Sequence, residues 1–174
     1  MSYDFHSQLS KIWNNAVELY KSGNSEFHTF NIDSHLSLLQ SWGLKKIDVF
    51  DFVEDWCLHQ EPDFNTFLLV HYERWSFFRD EQQLIPSKNL LDPATLPPKN
   101  EAFQGITWLP RILPKARAKL RGELPQEVMY GCGGDREFFR TNNIHPAEFL
   151  QIVRSLEDDS SIMQWVVNRK RSLA

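Results

Sequence analysis

The sequence predicts an all-α protein, a compact helical domain of about seven helices with a proline-rich crossing loop. Three observations carry that prediction. Apolar residues recur at helical spacing in most stretches of the chain, and Gly, Pro, Asp and Ser punctuate those stretches where helices should start or stop. The composition, 41% hydrophobic and 13% aromatic over 174 residues, supplies a sizeable core and argues against disorder.

Taken in order, Phe5, Leu9, Ile12, Ala16, Leu19 and Tyr20 share one face of a helix from about Asp4 to Lys21, ended by Ser22-Gly23-Asn24. Residues 27–32 read as a short extended stretch or loop. Asp33 is the expected N-cap of a helix through Leu36 and Leu39, with Gly43 at its C-terminal end. A helix from about Lys45 to His59 follows and is broken by Glu61-Pro62-Asp63. Asp63 then caps a helix from Phe64 to about Gln82.

Residues 84–105 hold four prolines and little periodicity, and read as a crossing loop. Beyond it come a helix over about Pro110 to Arg121, a short helix after Asp135, and a helix with Pro146 in its first turn. A last helix begins near Ser160, and a little strand is expected near Met129-Tyr130. The domain reading is one helical domain over 1–174, made of an acidic half (1–83), the loop (84–105) and a basic half (106–174).

Charge divides the same way. Residues 1–104 carry 8 Lys+Arg against 15 Asp+Glu, and residues 105–174 carry 11 against 8, so the halves are −7 and +3 in a chain of net charge −4. An acidic chain of this kind is a poor general nucleic-acid binder. No apolar run approaches a membrane span, the longest being Phe67-Leu68-Leu69-Val70. The first residues lack the pattern of a secretory signal, and two cysteines make no disulfide framework, so the expected compartment is the cytoplasm, with no membrane partner.

The chemistry-bearing block is residues 105–140. Arg111, Lys115, Arg117, Lys119 and Arg121 lie on one helix with no acid between them. Cys132-Gly133-Gly134-Asp135-Arg136 follows: two glycines that permit positive φ and close backbone approach, and Asp135 as the expected N-cap of the next helix. Free N–H groups at a helix start favour an anion, and Arg holds carboxylate or phosphate bidentately. A thiol at such an end can serve as a nucleophile. The ordinary structural alternative is a turn, a cap, a small buried thiol and a solvated basic face.

Leu109-Pro110-Arg111, Lys115-Ala116-Arg117-Ala118, Gly122, Cys132, Asp135-Arg136, Phe138 and Trp165-Val166 together resemble an uncharacterised bacterial family, domain of unknown function 5069, over about residues 105–167. The resemblance implies a small helical fold and no particular activity. This chain departs from the family pattern at Pro114, where an acidic residue is expected before the Lys-Ala-Arg-Ala run.

Three uses of the block follow. The first is a small anionic ligand, carboxylate or phosphate, held by Arg111 and Lys115 and walled by Trp108, Cys132, Gly133, Gly134 and Arg136, with Asp135 orienting Arg136 or the helix end. The second is an enzyme with Cys132 as nucleophile or acid beside Asp135. The third is a protein or RNA interaction module on the basic helix. Asp48, Asp51, Asp55 and His59 fall on one helical stripe that suits a solvated face, a docking face for the basic helix, or carboxylate-histidine metal ligation. Neither dinucleotide, Walker, nucleophile-elbow nor zinc spacing occurs, so no cofactor and no resident metal is assigned, and nothing fixes the oligomeric state.

Overall fold

The computed structural model describes residues 4–172 and resolves the chain into two compact units, Met1–Pro86 and Ser87–Ala174. The division falls just inside the proline-rich segment. Eight α-helices occur among the described residues, so the molecule is predominantly helical: α1 (Phe5–Lys21), α2 (Asp33–Ser41), α3 (Lys46–His59) and α4 (Phe64–Asp80) in the first unit, and α5 (Leu109–Arg121), α6 (Gly133–Thr141), α7 (Pro146–Ser155) and α8 (Asp159–Arg171) in the second.

In the first unit α1 packs on α3 and α4. The apolar stripe of α1 explains the arrangement, because Phe5, Leu9, Ile12, Trp13 and Ala16 are all buried. Phe5 stacks on Trp75 at 4.9 Å and meets Trp42 edge-on at 4.7 Å, while Trp13 lies 4.8 Å from Phe67. Each such ring pair adds about 0.5–1.5 kcal/mol beyond its buried area. His71 is 0% exposed and its Nδ1 lies 2.7 Å from the Phe67 carbonyl, the place of a satisfied core histidine rather than an exposed ligand. Asp63 caps α4 as expected, accepting from the Thr66 amide. Asp33 does not cap α2: it is the first helical residue, and Ile32 precedes it without a side-chain cap.

Gly43 closes α2 in a Schellman turn, with Gly43 N–H donating to Gln40 and Leu44 N–H to Leu39. Its φ of +70° is a left-handed conformation, and a Cβ there would sit 2.6 Å from the Phe78 ring.

The second unit begins with a 3-10 turn, Pro93–Thr95, and a two-stranded hairpin where the sequence suggested only loop. Strands β1 (Ala102–Phe103) and β2 (Ile106–Thr107) pair antiparallel with Ala102 opposite Thr107. Gln104 and Gly105 both have positive φ, the backbone of a tight two-residue hairpin turn. The strand expected near Met129-Tyr130 is absent; those residues lie in the turn region before α6, and Tyr130 is buried there.

Helix α5 is the centre of this unit and packs on β1, α7 and α8. Ile112, Leu113, Ala116 and Leu120 are buried, and so are Lys115 and Lys119, each 3% exposed. The basic helix is therefore a core element. Arg117, on its outer side, binds Asp159 at 2.6 Å and donates to the Glu157 carbonyl. Asp158 caps α8, and its bonds to Ser161, hydroxyl and amide, hold its carboxyl below the usual range. Any stability from that cap is present above the ordinary Asp value and fades as pH falls through the lowered one.

Gly43→Ala must strain a left-handed residue and displace Phe78, so it should destabilise the protein by about 1–3 kcal/mol. Chemical denaturation checks this, and an unchanged midpoint would remove the steric account.

Candidate functional site

The start of α6 and the middle of α5 meet around one carboxylate. Cys132 is the N-cap of α6, and Asp135 is the third helical residue, 0% exposed. Asp135 Oδ2 accepts from Lys115 Nζ at 2.5 Å and from the Gly131 amide at 2.8 Å, and Oδ1 accepts from Trp108 Nε1 at 2.9 Å. A buried carboxylate with three donors is well satisfied, which its burial requires. Lys115 is equally enclosed, so the pair is a desolvated ion pair rather than a surface one.

This corrects three local expectations. Asp135 does not cap α6; its oxygens point back to α5 and to Gly131. Gly133 and Gly134 are helical residues, and the positive φ, +100°, belongs to Gly131 ahead of Cys132. Lys115 is consumed internally by Asp135, leaving it poorly placed to hold an outside anion.

Gly134 is needed for a different reason. A Cβ on it would lie 2.5 Å from two atoms of the Trp108 ring, so the indole sits directly against the helix backbone. Trp108 itself is the N-cap of α5 with φ +74°, a left-handed conformation rare for a bulky residue. That strain, roughly 1–2 kcal/mol, is opposed by the indole bond to Asp135 and the packing on Gly134.

The remaining expected site residues surround this network. Arg111 lies over the Trp108 ring, 5.7 Å from its centre, and donates to the Pro97 carbonyl at 2.6 Å. Arg136 Nη1 donates to the Gly131 carbonyl at 2.9 Å, and another of its guanidinium nitrogens lies 3.9 Å from where a Gly133 Cβ would be. Cys132 is partly exposed, and Lys115 Nζ lies 3.4 Å from its sulfur. Tyr130, read in the sequence only as part of a short strand, is 1% exposed and donates to the Pro146 carbonyl at 2.8 Å. Burial, and then the charge of Asp135, pushes its phenol well above the ordinary value, so it remains a neutral donor. No sequence signal marked Tyr130 or Gly131 as part of the site. Asp51, Asp55 and His59 do share α3, but among the described residues no three His, Cys, Asp or Glu side chains gather as a cation site.

Chemically, the arrangement can do two things. The ion pair fixes the relative position of α5 and α6, and the glycine-led start of α6 presents backbone N–H groups beside a thiol and an ammonium. Removing one partner of a buried pair leaves an uncompensated charge, at a cost of about 3–5 kcal/mol, whereas replacing both with apolar groups is far milder. Lys115→Met and Asp135→Leu should each be strongly destabilising, and the double variant should be less destabilised than the sum of the two. A double-mutant cycle by chemical denaturation measures the coupling; strict additivity would mean the two side chains act independently.

No curated protein and no solved structure matches the chain. A protein-family model matches residues 96–173, a stretch that spans the hairpin, helices α5 to α8 and every member of the Asp135 network. That stretch of the chain matches the family described as "Domain of unknown function (DUF5069)", the one its Leu-Pro-Arg, Lys-Ala-Arg-Ala and Cys-Gly-Gly-Asp-Arg motifs resemble.

Proposed function

We propose that the second unit binds a small anion, a carboxylate or a phosphate, at the start of α6. The observation that carries this reading is the make-up of that helix end. Its N-cap, Cys132, makes no side-chain cap bond, the next two residues are glycine, and the Lys115 ammonium lies 3.4 Å from the cap sulfur. A helix start carries a partial positive charge and donor N–H groups, and Gly133, unlike the indole-covered Gly134, has room where a side chain would be, so an oxyanion can approach the backbone closely there. Arg136, which reaches back along the same turn, adds a planar cation. In this reading Lys115 and Asp135 do not touch the anion: they hold the helix end in place, and Arg111 keeps Trp108 and the 97–108 segment in register. Two free cysteines support the further proposal that the chain works in the cytoplasm; among the described residues no helix is long and apolar enough to cross a membrane.

The test is a titration of the full chain with inorganic phosphate and with small mono- and dicarboxylates, followed by amide chemical shifts. Gly133 and Gly134 amides should move, and Arg136→Ala should weaken binding roughly 10- to 100-fold, the worth of a charge-assisted bond. Motionless glycine amides at saturating ligand would overturn the reading.

The contact between Lys115 and the sulfur favours a second use of the same place, with Cys132 as a nucleophile. Cys57 provides an internal comparison, since burial pushes its thiol up, only partly offset by the charge of Lys21. Cys132 should therefore be alkylated by iodoacetamide at least tenfold faster than Cys57 at neutral pH. Equal rates would remove the nucleophile and leave the anion site.

A further inference from the structure

The contact between Lys115 and Cys132 has a chemistry of its own, which holds whether or not an anion binds at the start of α6. Lys115 Nζ lies 3.4 Å from Cys132 Sγ, so the nitrogen and the sulfur touch. The two side chains differ in access. Lys115 is 3% exposed, whereas Cys132 is partly exposed and is followed by the exposed Gly133. A small oxidant can therefore reach the sulfur from solvent while the amine abuts it from the inner side.

Asp135 supplies the third part. Its Oδ2 lies 2.5 Å from the same Nζ and is placed to take a proton from it. A sulfur open to oxidation, an amine in contact with it and a base on that amine thus meet at one point, where α5 crosses the start of α6.

We propose that Cys132 is a reversible oxidation site whose sulfenic acid condenses with Lys115 into a sulfenamide, a covalent tie between α5 and the α6 N-cap. The oxidant is hydrogen peroxide. The sulfur takes one peroxide oxygen, the O–O bond breaks, and Cys–SOH and water result. Sulfenic acids condense with a neighbouring thiol or nitrogen. Lys115 Nζ passes one proton to Asp135 Oδ2 and bonds to the sulfur. The S–O bond then breaks, and hydroxide leaves as water with a second ammonium proton. The products are Cys–S–NH–Lys and a neutral Asp135 carboxyl. Burial favours this outcome, because the ion pair is exchanged for two neutral groups and neither partner is left as a bare charge inside the unit. A dithiol reverses the step, returning thiol and amine as it becomes a disulfide itself.

The test treats the full chain with hydrogen peroxide and digests it with trypsin without reductant. Cleavage after Lys115 should be blocked, and Ile112–Arg117 should appear joined to Gly122–Arg136, lighter by two hydrogens than the sum of the two peptides. Dimedone, which captures sulfenic acids, should abolish the link when present during oxidation and should find nothing to label at Cys132 when added afterwards. The linked chain should unfold at a higher denaturant concentration than the untreated one, because the tie closes the loop between Lys115 and Cys132 in the unfolded state. Dithiothreitol should restore both the original midpoint and cleavage after Lys115. Cys132→Ser should show none of these changes, and if that variant does not fold, dimedone capture on the unaltered chain is the control. Cys132 recovered as a free sulfenic or sulfinic acid with Lys115 still cleaved, a loss of two hydrogens confined to Gly122–Arg136, or a linked chain with an unchanged midpoint would each overturn the proposal.

Discussion

The second unit depends on one desolvated contact, the ion pair between Lys115 and Asp135. Taken alone, such a pair is a poor source of stability, because both charges must leave water and their attraction in the interior only roughly repays that cost. Its value here lies in geometry. Asp135 accepts from a side chain on α5, from the indole that caps α5, and from a backbone amide one residue ahead of the α6 N-cap. The observed placement of the two helices satisfies Asp135 with all three donors at once, and one that separated it from Lys115 would leave a bare charge inside. The pair thus selects one arrangement and penalises the rest, which is the best-supported use of buried polar groups in cores.

Seen this way, the concentration of positive charge on α5 has two explanations rather than one. Lys115 and Lys119 lie within the packed interior, while Arg117 and Arg121 stay toward the outside, where the first binds Asp159 and the second lies 4.0 Å from Glu123. The long methylene stems of lysine let a helix contribute apolar surface along its length and still end in a cation at a chosen point. A helix that looks like a binding face by composition is in fact the central element, and its outward charges are partly used within the unit itself. What is left for a ligand is the polar start of α6.

Much of the architecture was legible because helices announce themselves by spacing. The stripe of Phe5, Leu9, Ile12 and Ala16, the Asp63 cap and the Pro146 start each correspond to an element within a residue or two. The hairpin was not legible, since two-residue strands carry no alternation to read and only Gln104-Gly105 marked the turn. The candidate site was legible as a set of residues but not as a set of roles. Spacing could bring Lys115 and Asp135 into the same short list; it could not say that they would bind each other, because that depends on how α5 and α6 pack. Asp135 was expected at a cap for the same reason: three residues along a helix start, an acid can serve the helix or a neighbour, and only the tertiary contact decides.

The close seat of Trp108 on Gly134 also bears on how this sequence can drift. The two positions form one steric unit: the ring occupies the volume that any side chain at 134 would need, and the backbone at 134 forms the surface on which the ring rests. A larger residue at 134 becomes tolerable only after the indole has been replaced by something smaller. That replacement would in turn withdraw a donor from Asp135 and leave residue 108 in a left-handed conformation with less to hold it there. Substitutions at these positions must therefore arrive together and in a particular order, with residues 108, 134 and 135 changing as a linked trio or remaining as they are.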